Sequence, residues 1–295
     1  MCKFCMEHGE GKQWYLQMKN YYPELLHEEL NAEQQQVTGA KTRLEWNLGF
    51  FRNFVMPGSG KYPLPKKPEN AEAAPAASRP PLSEDEIVAN NMVEHFGQVL
   101  PIEDVERVID SVDSITRMPC GCRYISTGQT NARYCFGFSI DRFGILGQFP
   151  EASASLETLS REEAKKLFRY FDQEGLMHSI WTGVTPYVVG LCNCDHDCIA
   201  YRTTIESRRP ADFFRAEYIC EVDWERCTGC KTCMSQCQFG AQFYSSVTEK
   251  VYIDPGRCYG CGVCRAACPN DAISIIPREK RPVAADLWLN HPYPK

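Results

Sequence analysis

The feature that most narrows what this chain can fold into is a pair of cysteine runs with one shared spacing. The first is Cys227-Thr-Gly-Cys230-Lys-Thr-Cys233-Met-Ser-Gln-Cys237, and the second is Cys258-Tyr-Gly-Cys261-Gly-Val-Cys264-Arg-Ala-Ala-Cys268-Pro269. Each reads C-x2-C-x2-C-x3-C. A [4Fe–4S] cubane offers four iron corners to four thiolates, and a tight loop with two residues between cysteines serves three of them from one side. Zinc also takes four cysteines, usually as two separated C-x2-C pairs, so three in succession plus a fourth, twice over, favours cubanes. The copies align 31 residues apart beyond the cysteines as well: Val222-Asp223 with Ile253-Asp254, Arg226 with Arg257, Gly229 with Gly260, Ala241 with Ala272. That is a duplicated strand–loop–helix unit. Cys220 aligns with Val251 and is expected in a strand, not among the ligands.

These residues resemble the bacterial two-cluster ferredoxin domain. The resemblance implies two [4Fe–4S] clusters, with the last cysteine exchanged between copies: Cys227, Cys230, Cys233 and Cys268 for one, Cys258, Cys261, Cys264 and Cys237 for the other. Glycines 229, 260 and 262 are expected to leave backbone amides free to approach sulfur. Gln238 stands where Pro269 follows the second copy, so the turn after Cys237 lacks the φ that proline fixes.

Nine cysteines remain: Cys2, Cys5, Cys120, Cys122, Cys135, Cys192, Cys194, Cys198 and Cys220. Met118-Pro119-Cys120-Gly121-Cys122-Arg123 is expected directly after a helix, and Cys192-Asn193-Cys194-Asp195-His196-Asp197-Cys198 directly after a strand. Loops at element ends can turn thiolates inward. Together with Phe96 to Pro101 and Glu174 to His178, these motifs resemble a group of iron–sulfur proteins of anaerobic bacteria and archaea. In that group a Pro-Cys-x-Cys-Arg turn and a Cys-Asn-Cys stretch precede a two-cluster ferredoxin domain. The resemblance covers roughly residues 95–276 and implies redox work without naming a substrate. We expect a third metal site at Cys120, Cys122, Cys194 and Cys198, with Cys135 and Cys192 as competing ligands. Its alternatives are a zinc in place of an iron–sulfur cluster and buried free thiols, since cysteine packs as a small hydrophobe. Cys2, Cys5 and His8 have metal-like spacing but supply only three candidate ligands. His178 is expected to be structural, and His196, between two aspartates, a hydrated loop residue.

With 295 residues the chain can bury a sizeable core, and its net charge of −6 argues against a dominant nucleic-acid surface. The Arg278-Glu279-Lys280-Arg281 cluster reads as solvated surface. No apolar run is long enough to span a membrane, and the N-terminus lacks a secretory pattern, so a cytoplasmic protein is expected. Seventeen cysteines then mean thiolate ligands rather than disulfides.

The expected fold is α+β. A helical N-terminal segment (1–56) holds a helix at about 23–36 and an aromatic helical tract at 42–55. A Pro/Ala-rich linker (57–82) follows. A mixed α/β middle domain (83–215) should contain a capped helix from Ser83 to Gly97, an amphipathic helix after Pro101, a helix opened by the Ser160–Glu163 capping box, and a strand over 184–191. The ferredoxin-like domain (216–277) and a tail (278–295) complete the chain. No dinucleotide fingerprint, P-loop or catalytic triad is present. The expected function is a relay of single electrons to or from redox protein partners, within a larger oxidoreductase complex. The alternative is an enzyme or redox sensor built on the middle-domain cysteines.

Overall fold

A computed structural model describes residues 13–22, 40–60, 97–140, 145–150, 153–184, 187–202, 214–285 and 287. Its middle portion is a six-stranded sheet of β1 (Gly97–Leu100), β2 (Ile115–Met118), β3 (Cys135–Phe138), β4 (Glu157–Leu159), β5 (Met177–Val184) and β6 (Tyr187–Cys194). The order is β1-β5-β6-β3-β2-β4, and every neighbouring pair is antiparallel. Around it lie α1 (Ala40–Phe50), α2 (Ile102–Ser111), α3 (Gly121–Thr127) and α4 (Arg161–Gln173).

Two helices form as the sequence dictates. Pro101 precedes α2, whose Val105, Val108 and Ile109 fall on one buried stripe. Ser160 caps α4: its backbone N–H donates to the Glu163 carboxylate at 2.9 Å while its hydroxyl accepts from the Glu163 N–H. Gly175, with φ +83°, ends that helix in a conformation that favours glycine. Ala164, Phe168 and Phe171 of α4 then pack with the α2 stripe onto Phe136, Ile180, Val188 and Leu191 of the sheet. The Phe136 and Phe168 rings stand 4.6 Å apart.

On the other side, α1 runs into a π-helical turn (Phe51–Val55) and a short helical turn (Met56–Gly58). Phe51, Val55 and Met56 pack with Met118 into a separate core. Residues 57–59, expected to open the linker, are buried instead, because the turn at Gly58 seats on the backbone of Cys120 and Gly121. The rest of the expected linker, the 23–36 helix, and residues 83–96 of the Ser83 helix lie outside the described residues.

Two local expectations need correction. The single strand at 184–191 is a hairpin of two longer strands, so Cys192 and Cys194 lie in β6 rather than in a following loop. Strand β2, not a helix, leads into Pro119. A four-residue strand is too short for periodicity to reveal.

The C-terminal part repeats one pattern twice. Strand β7 (Tyr218–Val222) pairs with β10 (Ile273–Pro277), and β8 (Gln242–Ser245) with β9 (Lys250–Ile253). Helical turns α5 (Thr232–Gln236) and α6 (Val263–Ala266) occupy equivalent places. Backbone bonds repeat too: Cys227 N–H to Asp223 O at 2.9 Å and Cys258 N–H to Asp254 O at 3.0 Å. Cys220 lies in β7, opposite Ile275 of β10. Arg278, read above as solvated, is buried. Its guanidinium donates to Ala216 O, Tyr218 O and Cys258 O, because the carbonyls left free beside β7 need a donor there.

Candidate functional site

The eight C-terminal cysteines gather into two sets. One small cavity is lined by Cys227, Cys230, Cys233 and Cys268, and a second by Cys237, Cys258, Cys261 and Cys264. Each combines three cysteines of one run with the fourth of the other. Cys220 of β7 is a fifth cysteine in the wall of the second cavity, and its N–H reaches Cys258 Sγ at 3.4 Å. The local backbone explains the turns. Gly229 (φ +68°) and Gly260 (φ +75°) adopt left-handed conformations, and a Cβ at either would lie about 2 Å from a backbone oxygen, of Glu249 or of Tyr218. Backbone amides reach the sulfurs in matched positions: Ala241 N–H to Cys237 Sγ at 3.3 Å and Ala272 N–H to Cys268 Sγ at 3.2 Å. Donors aimed at sulfur, in an apolar setting, suit a cluster whose sulfurs carry negative charge. Burial pushes the Cys237 and Cys261 thiols up and takes Cys233 up to about 11, so holding them as thiolates needs a compensating cation.

The two sets differ in surroundings. Cys230 is exposed, and Trp224 of the same loop region is half exposed. Cys261 is buried in a core that also holds Met177, Cys194 and Cys198 of the middle portion. Gln238, the residue in place of proline, donates to Gly175 O at 2.9 Å, and its carbonyl accepts from the Tyr201 hydroxyl. Arg265 of α6 clasps Glu103 of α2 at 2.6 and 2.7 Å. The set of Cys237, Cys258, Cys261 and Cys264 therefore faces the sheet, and the set with Cys230 faces outward.

Six further cysteines come together on the sheet. Cys120 is the N-cap of α3 and Cys122 lies in its first turn; Cys135 is in β3, Cys192 and Cys194 are in β6, and Cys198 caps the Ile199–Tyr201 turn. All six line a cavity of about 550 Å³, roofed by Trp46, Phe50 and Phe54 of the aromatic tract. Trp46 and Phe50 stack at 5.2 Å. Gly121 seats directly under this roof; a Cβ there would lie 2.1 Å from Phe54 O. The competing candidates Cys135 and Cys192 are as central as the expected four, with sulfurs 3.6 Å apart. Among the described residues, no three His, Cys, Asp or Glu side chains are arranged as a single-ion site. Thiol contacts link Cys120, Cys135, Cys192, Cys194 and Cys198 in a ring, with Cys122 outside it.

Electrostatics in this group are uneven. Hydrogen bonds from the Cys135 and Cys198 thiols, aided by Arg123, hold Cys120 well below the ordinary thiol range. Those from Cys192 and Cys198 do the same for Cys194. Burial pushes Cys122 up. Arg123, the last residue of the Pro-Cys-x-Cys-Arg turn, is a buried cation beside these thiols. It pairs with Asp195 at 2.8 Å, lies 3.8 Å from Cys120 Sγ, donates to Asn193 O, and stacks over the Tyr134 ring. His178 is buried and structural: Nδ1 meets Asn193 Oδ1 at 2.7 Å, and Nε2 lies 3.6 Å from Asp172, tying β5 to β6 and α4. His196 is exposed, edge-on to Tyr201.

Paired cavities ringed by cysteines, with amides directed at sulfur, define an iron–sulfur unit of ferredoxin type. Residues 226–272 match the family described as the 4Fe-4S dicluster domain, a span that contains all eight C-terminal cysteines. No curated protein matches the chain. Among the described residues no helix is long and apolar enough to cross a membrane.

Proposed function

We propose that the chain is a cytoplasmic electron-transfer protein, or the electron-transfer subunit of a larger oxidoreductase, in anaerobic metabolism. In this reading Cys227, Cys230, Cys233 and Cys268 hold one [4Fe–4S] cluster, and Cys258, Cys261, Cys264 and Cys237 hold the other. When bound, each cluster supplies one-electron chemistry with little change in shape. A third centre sits at the middle cysteines, with Cys120, Cys122, Cys194 and Cys198 as its ligands. The observation that carries the reading is the division of eight cysteines between two cavities with the fourth exchanged. The surroundings suggest a direction: a redox partner meets the exposed side at Cys230, and electrons pass inward by way of the set containing Cys261, packed against Cys194 and Cys198.

Iron and acid-labile sulfide analysis of anaerobically purified protein tests this. Two clusters alone give ~8 iron atoms per chain, and a third [4Fe–4S] centre gives ~12. EPR of the reduced protein should show the spin coupling of neighbouring cubanes. Absence of sulfide, or zinc in place of iron, would sink the relay.

A second reading is favoured by the large cavity. Its volume lies within the usual range for small-molecule sites, about 300–1,000 Å³, and its walls carry thiols beside aromatic rings. This supports a catalytic role for the middle portion, fed by the same clusters.

A further inference from the structure

Six thiols line the large cavity, and four suffice for a cubane, so two need another account. We propose that Cys135 and Cys192 are a redox-active dithiol/disulfide pair facing the cavity, and not metal ligands. The proposal rests on the relay reading only for its electron acceptor.

Cys135 of β3 and Cys192 of β6 are direct cross-strand partners. The adjoining pair is hydrogen-bonded, with Asn193 N–H donating to Tyr134 O at 2.9 Å. Bonded and non-bonded pairs alternate in an antiparallel ladder, so Cys135 and Cys192 occupy a non-hydrogen-bonded position, where side chains approach most closely. The typical Cα separation there, about 4.5 Å, falls within the disulfide range of about 4.4–6.8 Å. Both side chains leave the sheet on the cavity face, and the sulfurs are 3.6 Å apart. Closing them to the bonded length of about 2.05 Å requires side-chain rotation and no change of strand register. None of the four other close cysteine pairings in this group (Cys120 with Cys135 or Cys198, Cys194 with Cys192 or Cys198) joins directly opposed strand residues.

The chemistry balances simply. Two S–H bonds break and one S–S bond forms; two protons leave to water in the cavity, and two electrons pass one at a time to one-electron acceptors of the iron–sulfur class. Reduction reverses each step. The pair thereby joins a one-electron relay to two-electron chemistry at the cavity.

The test is a redox titration of the intact, cluster-loaded chain in buffers of reduced and oxidised dithiothreitol under argon. Samples are quenched in acid, free thiols are alkylated, and the linked peptides are mapped by mass spectrometry. The expected result is a reversible Cys135–Cys192 cross-link with a two-electron slope, about 30 mV per tenfold change in the oxidised-to-reduced ratio, and unchanged iron per chain. Cys135→Ser and Cys192→Ser should each abolish the cross-link and leave iron content at the wild-type value. If the wild-type chain never forms this cross-link while its iron is retained, the proposal is wrong. It is equally overturned if either variant folds but loses iron from the middle centre, which would make these residues ligands. Cluster EPR is read in the same samples: a missing coupled signal with an intact, reversible cross-link would count against the relay and leave the dithiol standing.

Discussion

Gly260 and Gly262 lie two residues apart in the same loop, both at positive φ, yet replacing them with alanine should have very different consequences. At Gly262 the repeat provides an internal control. The equivalent residue of the first run is Lys231, which adopts φ +67° with a full side chain. A Cβ on Gly262 would meet only the flexible end of Arg265, at 2.9 Å. Gly262→Ala should therefore cost about 1 kcal/mol, the left-handed penalty for an L-residue. At Gly260 the Cβ would lie 2.0 Å from Tyr218 O, well inside contact distance. That carbonyl belongs to β7 and accepts from Arg278 at 3.0 Å, so it cannot withdraw without disturbing the β7–β10 pairing. Overpacking against fixed backbone adds about 1–3 kcal/mol, so Gly260→Ala should total about 2–4 kcal/mol. Anaerobic guanidinium titration, following loss of cluster absorbance, gives the comparison through the transition midpoints. The fold in this region is refuted if the two variants have the same midpoint, or if Gly262→Ala is the more damaging.

Three further outcomes follow from the same geometry. Burial alone would raise the Glu103 carboxyl, but the Arg265 hydrogen bonds and charge outweigh it and hold it below the usual range. The stability it contributes is thus present above the ordinary carboxylate value of about 4.3 and lost as pH falls through the folded value; Glu103→Gln should remove that pH dependence, cost no more than about 1 kcal/mol, and lose its effect in 1 M salt. Ser160→Ala should lower stability by about 1 kcal/mol through loss of the cap, with iron content unchanged, as seen by thermal melting and metal analysis. Gly121→Ala should cost about 2–3 kcal/mol and alter the middle cavity, because Phe54 O blocks the new methyl; an unperturbed melting temperature would show that the aromatic roof does not seat there.

How much was legible in the chain depends on whether a residue's role is set by its neighbours in sequence or by distant ones. Ser160 and Glu163, and Pro101 with the α2 stripe, carry their roles within a few residues and appear where local reasoning put them, while each cysteine run brings three neighbouring thiols to one cavity and its fourth to the other. Cys192 and Cys194 do not appear where that reasoning put them. Their place in β6 follows from pairing with β3 and β5, partners that apolar and β-branched composition alone does not reveal. Arg278 reads as one of four surface charges until β7 supplies the carbonyls that surround it. The same holds for Gly58 and Gly121, whose mutual contact depends on an approach between segments more than sixty residues apart.

The duplication sharpens this distinction, because two runs with one spacing end in unlike surroundings. Their turns, the amide bonds to Cys237 and Cys268, and their strand pairings coincide, so much of the cysteine frame is a local property of the repeat. Their exposure does not coincide: Cys230 meets solvent, whereas Cys261 is enclosed by the sheet and by Phe239 stacked on Tyr259 at 4.0 Å. Lys231 has its ammonium over the Tyr244 ring, and the matching place in the second run has no side chain at all. Cluster potentials respond to charge, to hydrogen bonds at sulfur and to solvent access. The hydrogen bonds at sulfur match only in part, since Cys220 N–H reaches Cys258 Sγ at 3.4 Å in the inner set and the Thr232 hydroxyl reaches Cys230 Sγ at 3.5 Å in the outer. Beside them, a cation at the outer set and burial around the inner are terms that separate the two potentials. Both favour the outer set as the more easily reduced, since a nearby positive charge and water each stabilise the added electron. A relay arranged this way would hold electrons at the surface and release them inward only against a gradient, unless the enclosed set gains a compensating charge. Arg215, buried over the Tyr259 ring, and Arg278 both donate to Cys258 O and are the cations placed to supply it. Arg215→Met should therefore lower the potential of the inner cluster selectively, as read by EPR-monitored titration, and equal shifts in both signals would refute that assignment.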